Sequence, residues 1–379
     1  MLFELKKAVQ AFHRPGIDAK PWRMVRNAVP YYLPGDRKVS APLTIYWSIN
    51  SVCNLRCKMC DVGMMNEEGM FFKNLRIDRK LHEIDIEVFK RAIDEVHVDQ
   101  PFISINSTEP LMYKPLAEAI EHCTRRGLRT GVTTGAYTLP KQADALAEAG
   151  LSRLSVSIDG PADVHNHIRG RKDSYAQAYA GIEAFADACR RRGRKFEVYI
   201  NCTITNLNYN RLVEFYEAIA PLPSTAINFT YMWFIDEQTA TEHNRQYGDR
   251  FPVSASCYSE WIDPHAVDID VLADQIDQVK GRPRVNFSPL FTREELKTYF
   301  HRPNEFVNPA GRCLATWFFL QILADGGVIV YTRCHSKPMG NINTQSIADI
   351  WNGPQVRNWR KFIQDAGKMP MCKRCDLAY

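Results

Sequence analysis

Short apolar runs alternate with longer amphipathic stretches along most of the chain. The run "LTIYWSI" at 43–49 has the length and the β-branched and aromatic content of a buried strand. "IEVFKRAIDEV" at 86–96 spaces its apolar residues three and four apart, the period of one helix face. The alternation then repeats. Strands are predicted at 102–106, 128–134, 151–159, 196–204 and 225–234. All but the last are followed by helices, at 115–127, 141–150, 174–193 and 209–220. Six such units imply parallel strands joined by right-handed crossovers. The expected fold is α/β: a partial (β/α)6 TIM-like barrel with a small C-terminal domain. In such a fold chemistry gathers at the C-terminal ends of the strands.

Beyond residue 235 the pattern breaks into the polar, irregular segment "DEQTATEHNRQYGDRFPVSASC", and a last strand is read at 284–291. The expected division is an N-terminal extension at 1–42, the barrel at 43–285 and the C-terminal domain at 286–379. In the extension, Leu2, Phe3, Val9 and Phe12 form one face of a short helix opposite Lys6 and Lys7. That helix is expected to dock on the main domain, with a membrane-surface anchor as the alternative.

Composition changes this picture little. The 379 residues are 45% hydrophobic and 24% charged, ordinary for a globular chain. The net charge of +5 is mild. The arginine-rich "CRRRGRKFE" at 189–197 reads as the solvated end of a helix, where cations suit the dipole. Nucleic-acid binding is therefore not expected. Nor is a membrane span, since no apolar run reaches about 18 residues. No secretory signal is visible, so a reducing cytoplasm is expected for the 11 cysteines.

Seven of those cysteines are grouped, and they carry the candidate chemistry. Cys53, Cys57 and Cys60 follow the first strand directly. A structural zinc site and a fully ligated iron–sulfur cubane each take four protein ligands. Three thiolates leave one iron of a cubane open, where an amine and a carboxylate of one ligand can chelate. S-adenosylmethionine carries both. Cys313, Cys334, Cys372 and Cys375 form the second group, a set of four soft donors suited to a cluster or to zinc.

The Cys53-x3-Cys57-x2-Cys60 motif after the first strand resembles that of the radical S-adenosylmethionine superfamily. The resemblance implies a [4Fe–4S] cluster whose electron cleaves S-adenosylmethionine to a 5′-deoxyadenosyl radical. It also implies a reducing partner such as flavodoxin or ferredoxin. "STEP" at 107–110 stands where relatives have a glycine–glycine–glutamate segment that holds the methionine amine. Glu109 matches, while Ser107 and Thr108 replace the glycines that favour close backbone approach. Ser157, Arg169 and Asn206 match positions that reach the cofactor, and Met59 stands where an aromatic residue often covers adenine.

The stretch "GNINTQSIADIWN" at 340–352 resembles the C-terminal region called SPASM. Full SPASM motifs carry more cysteines, so the resemblance implies a shortened, twitch-like domain with one auxiliary [4Fe–4S] cluster. Complete ligation suits electron transfer, and with it net oxidation of a substrate. Cys257, in the irregular segment, is a candidate hydrogen-atom donor, which would make the reaction an epimerisation; Tyr231 and Tyr258 are less supported. Asp236, Glu237, Glu260 and Asp263 are candidate polar contacts or bases, with surface roles as the default. The expected reaction is hydrogen abstraction leading to oxidation, epimerisation or bond formation on a small metabolite, such as a sugar, nucleoside or lipid-linked molecule. A ribosomal-peptide maturase and a zinc-stabilised binding scaffold are the alternatives.

Overall fold

The structure, a computed structural model, describes residues 19–377 except 34, 36, 77, 311, 336 and 376. The expected helix face of Leu2, Phe3, Val9 and Phe12 lies outside these residues. The predicted strands form as β1 (Thr44–Trp47), β2 (Phe102–Ile105), β3 (Thr130–Thr134), β4 (Arg153–Ser157), β5 (Glu197–Ile204) and β6 (Ala226–Tyr231). A further strand, β7 (Val285–Phe287), straddles the expected 285/286 division and pairs in parallel with β6. Neighbours from β1 to β7 are all parallel and run in chain order.

The C-terminal region does not stand apart from this sheet. β8 (Phe319–Ile322) pairs in parallel with the free edge of β1, with Thr44 opposite Phe319. β9 (Gly327–Ile329) and β10 (Gly340–Asn341) then add antiparallel strands. The result is one open sheet of ten strands, ordered β10-β9-β8-β1-β2-β3-β4-β5-β6-β7. Among the described residues eight strands are thus parallel, the six of the expected barrel together with β7 and β8.

The strands read as apolar because helices cover one face and the barrel interior closes the other. Trp47 is fully buried and packs on Phe89 of the helix Ile86–Val96, with ring centroids 4.6 Å apart. Asp85 caps that helix by accepting from the amides of Glu87 and Val88. β5 differs, alternating half-buried and buried residues. Ile200, Cys202 and Ile204 turn to the core, while Asn201 and Thr203 turn to the barrel cavity.

Several helices escaped the sequence reading. The segment after residue 235 is not irregular throughout, because Glu237–Tyr247 is helical and Asp236 caps it at the Thr239 amide, 2.7 Å away. Its periodicity is masked by a polar face, although Ala240 and His243 are buried. Pro21–Tyr32 is also helical and ties the extension to the C-terminal region. There the Asn27 amide donates to the Trp317 carbonyl at 2.9 Å, and Tyr31 packs edge-on against Trp317. Among the described residues no helix is long and apolar enough to cross a membrane.

Candidate functional site

Beyond the C-terminal end of β1 the chain makes a tight loop carrying Cys53, Cys57 and Cys60. Two backbone bonds knit it to the end of the helix Ala162–Arg169: the Arg56 amide donates to the Arg169 carbonyl, and the Lys58 amide to the Ile168 carbonyl. Gly170 permits this approach, because it has a φ of 69° and a Cβ there would stand 2.8 Å from the Arg56 carbonyl oxygen. The Cys53 and Cys60 thiols each feel Cys57, and all three line one cavity. Burial and then the neighbouring Cys57 raise the Cys53 pKa to about 12, and the same causes raise Cys60 to about 11. Burial raises the Cys57 thiol as well, and iron binding to such thiols releases protons.

The thiols open on a cavity of about 420 Å³ at the mouth of the barrel. Arg169 lies on its wall, and Nε donates to the Asp159 carboxylate at 2.6 Å while Nη1 lies 3.5 Å from the Cys57 sulfur. Burial opposes the guanidinium charge, but Asp159 and Cys57 outweigh it and raise its pKa. Asp159 was not singled out from sequence. It is fully buried and also accepts from the Thr203 amide, so it fixes Arg169 against β5.

Glu109 also lines the cavity but is 1% exposed. Its carboxylate accepts from the Thr134 hydroxyl at 2.6 Å and from the amides of Leu111 and Gly135. Burial raises its pKa, and these three bonds work against the rise. It therefore bridges the loop after β2 to the end of β3. Ser107 has a φ of 86°, a conformation that glycine adopts without strain, so the serine keeps a glycine-like backbone at this wall.

Met59, Ser157 and Cys257 reach the same cavity. Asn206 is not among its lining residues; its side chain instead donates to the Trp261 carbonyl and accepts from the Asp263 amide. The carboxylates of Asp236, Glu237, Glu260 and Asp263 are likewise absent from the wall, and Asp263 accepts from the His265 amide. In their place stands a polar ladder. Ser157, Asn201, Asn228 and Asn286 share one register across β4 to β7, and Asn228 donates to the Asn201 amide oxygen at 3.0 Å. Thr203 and Thr230 form the next rung and line the cavity with Asn201 and Asn228. The signal was legible, since "NCTI" and "NFTY" place polar residues two apart inside apolar strands.

Asp61 anchors the far side of the cysteine loop. It is 2% exposed and accepts from the Ser256 hydroxyl at 2.5 Å, the Cys257 amide at 2.8 Å and the Asn66 amide at 3.1 Å. These bonds hold Cys257 at the cavity with a φ of 53°. Asp61→Ala is expected to cost about 2–4 kcal/mol, because several buried donors lose their acceptor. A denaturant midpoint that matches the parent protein would contradict that role.

The second cysteine group gathers too. Cys334 feels the Cys372 and Cys313 thiols, and Lys368 feels Cys372, Cys375 and Cys313. Among the described residues no three His, Cys, Asp or Glu side chains are grouped as for a metal ion. Soft thiolates spread over the corners of a cubane meet a different requirement, one iron each. Cys334 follows Arg333, and Arg333 lines the cavity that the first three thiols also line.

A mostly parallel open sheet with one thiol group past β1 and another on both sides of β8 in the chain defines an iron–sulfur protein built on a partial barrel. Residues 47–219 match the Radical SAM superfamily, and residues 313–376 match SPASM, an iron-sulfur cluster-binding domain. The chain is 29% identical over 343 residues to the AdoMet-dependent heme synthase of Methanosarcina barkeri, covering 88% of this chain and 89% of that protein. It is 25% identical over 241 residues to the Fe-coproporphyrin III synthase of the same organism, covering 61% and 56%. The fold is similar to that of Streptococcus suis SuiB bound to S-adenosylmethionine, with a TM-score of 0.59 at 15% identity, over 95% of this chain and 78% of that one.

The chain carries a radical SAM domain and a C-terminal SPASM iron–sulfur domain, and it is an enzyme. Its radical SAM domain takes a [4Fe–4S] cluster and S-adenosylmethionine, and its SPASM domain takes further iron–sulfur. The zinc-stabilised scaffold is thereby displaced.

Proposed function

We propose that the enzyme removes a hydrogen atom from a small organic substrate bound in the barrel cavity and oxidises it. Cys53, Cys57 and Cys60 hold the first cluster in this reading, and Cys313, Cys334, Cys372 and Cys375 an auxiliary one. The observation that carries the reading is the single cavity walled by the first thiols on one side and by Arg333, next to Cys334, on another. When bound, the first cluster and S-adenosylmethionine supply a 5′-deoxyadenosyl radical that takes the substrate hydrogen. The chain does the rest. Asp159 holds Arg169 against the Cys57 sulfur, and Glu109 locks the loop after β2 so that its backbone can meet the methionine amine. Ser157 and Asn201 offer hydroxyl and amide groups to the ribose. Met59 covers the adenine.

The rest of the wall supports a reading of the substrate class. Its charged residues are Glu109, Arg169 and Arg333, and each has its own partner, Arg333 lying over the Trp233 ring. Amides and hydroxyls dominate the ladder of Asn228, Thr203 and Thr230. That ladder favours a hydroxyl-rich molecule, a sugar, nucleoside or lipid-linked metabolite, while the rings of Phe71, Trp233, Phe319 and Tyr331 give the same cavity an apolar side. A second reading, a tetrapyrrole substrate, is favoured by the near end-to-end match to the AdoMet-dependent heme synthase. Cys257 is the candidate hydrogen-atom donor should the product be an epimer.

Anaerobic turnover with deuterated sugars, nucleosides and a tetrapyrrole discriminates among these readings. Deuterium is expected in 5′-deoxyadenosine with the first classes. Transfer from the tetrapyrrole alone would overturn the hydroxyl-rich assignment, and solvent deuterium in an otherwise unchanged substrate would replace oxidation by epimerisation.

A further inference from the structure

The C-terminal region carries a second pocket, of about 420 Å³, which shares no lining residue with the barrel cavity. Its walls come from distant parts of the chain. Arg250 and Phe251 follow the helix Glu237–Tyr247, Lys337 lies in the loop that runs on from Cys334, and the helix Pro354–Ala366 brings Trp359, Lys361, Phe362 and Asp365. The rings form the floor. Phe251 lies 4.7 Å from Trp359 and 4.7 Å from Phe362 between centroids. Phe251 and Trp359 are buried and Phe362 is half-buried, so packing holds this floor in place.

The rim is cationic and exposed, at Arg250, Lys337 and Lys361. Arg250 stands 4.9 Å from the Phe362 centroid, and Lys337 stands 5.6 Å from that of Phe251. A ring face holds a cation in place without neutralising it. Among the described residues none of the three cations has an ion-pair partner, and Asp365 is the one acid lining the pocket. Other surface arginines are matched: Arg211 by Asp163 and Glu214, Arg293 by Asp270 and Asp274, and Arg302 by Glu294 and Glu305. The protein's overall charge is mild, so this is a local excess of positive charge gathered in one concavity, where its field is focused.

We infer that this pocket binds a small organic anion that joins an apolar ring to a phosphate or a carboxylate. The oxyanion meets Lys337 and Lys361, and the ring packs beside Phe362 and the Arg250 guanidinium. The volume suits such a molecule, since small-ligand pockets span about 300–1,000 Å³. The site also has a route to the enzyme's second cysteine group. His335, next to Cys334, packs on Phe251 at 4.8 Å and on Trp359 at 4.2 Å, so an occupant rests on the layer that backs this cysteine.

The test uses the cluster-loaded enzyme saturated with S-adenosylmethionine, so that the cofactor's place is filled. Isothermal titration calorimetry follows four probes: phenyl phosphate, phenylacetate, inorganic phosphate and benzyl alcohol. The two ring anions are expected to bind, and to bind less tightly as salt rises. Inorganic phosphate and benzyl alcohol, each lacking one half of the recognised chemistry, are expected to bind about tenfold or more weakly than the tighter ring anion. Tighter phenyl phosphate assigns the pocket to phosphate esters, and tighter phenylacetate to carboxylic acids. Lys337→Gln/Lys361→Gln is expected to weaken the ring anions about tenfold or more. Its iron content and its dithionite-driven 5′-deoxyadenosine formation should match the parent, because neither side chain reaches the barrel cavity. No binding of either ring anion at millimolar concentration, inorganic phosphate as tight as phenyl phosphate, or unchanged affinity in the double variant would overturn the site.

Discussion

Replacing Cys53, Cys57 and Cys60 together by alanine is expected to abolish 5′-deoxyadenosine formation under dithionite and to leave about four irons per chain in place of about eight. The effect should be complete because thiolates are the donors this site offers to iron. Glu109 cannot substitute: its carboxylate is held by Thr134, Leu111 and Gly135. Arg169 would also change its surroundings, losing the Cys57 sulfur but keeping Asp159. The fold should survive, since the sheet and its helices do not depend on this loop. Two measurements check this together, iron with sulfide analysis and chromatographic detection of 5′-deoxyadenosine. Persistence of the nucleoside in the triple variant would remove the assignment of these cysteines.

A second large effect is expected at Arg374, between Cys372 and Cys375. This residue is 2% exposed, and its guanidinium donates to the carbonyls of Thr298, Tyr299, Arg302, Glu305 and Lys373 at 2.7–2.9 Å. Several of those carbonyls close the helix Arg293–His301, whose C-terminal end favours a cation. The planar fork thus clamps the last cysteine pair to that helix. Arg374→Ala leaves buried carbonyls without donors and is expected to cost on the order of 3–5 kcal/mol. Because the clamp positions two of the four auxiliary thiols, iron should fall toward about four per chain while dithionite-driven cleavage of S-adenosylmethionine persists. Arg374→Lys restores the charge but not the fork, so it should recover little. Full iron retention in the alanine variant would show that the auxiliary group assembles without this clamp.

The two cysteine groups were legible because they are written in residue type and spacing, which survive without any knowledge of packing. The strand and helix alternation was legible for a similar reason, since each period is local. The departures have physical causes. Asn206 was aligned with the cavity by its place after β5, yet its side chain spans Trp261 and Asp263, partners that only the folded loop supplies. The helix Glu237–Tyr247 was missed because its exposed face is strongly polar. Asp61 and Asp159 were passed over because a buried acid looks like any other acid until its partners are brought to it. The ladder of Asn201 and Asn228 was within reach of the period-two pattern, but its inward orientation depends on which face the helices cover.

By itself the sequence determined the class of chemistry, from three spaced cysteines after the first strand, four more near the end and a parallel α/β scaffold between them. Only the tertiary structure decided that β8 returns to pair with β1, so that both thiol groups share one sheet and Arg333 meets the first group's cavity. It also decided which face of each strand looks inward and which cations gather over Phe251 and Phe362. The physical reason is range. Ligand chemistry and periodicity are properties of neighbouring residues, whereas strand partners, buried acids and surface fields are made by residues that meet only when the chain has folded.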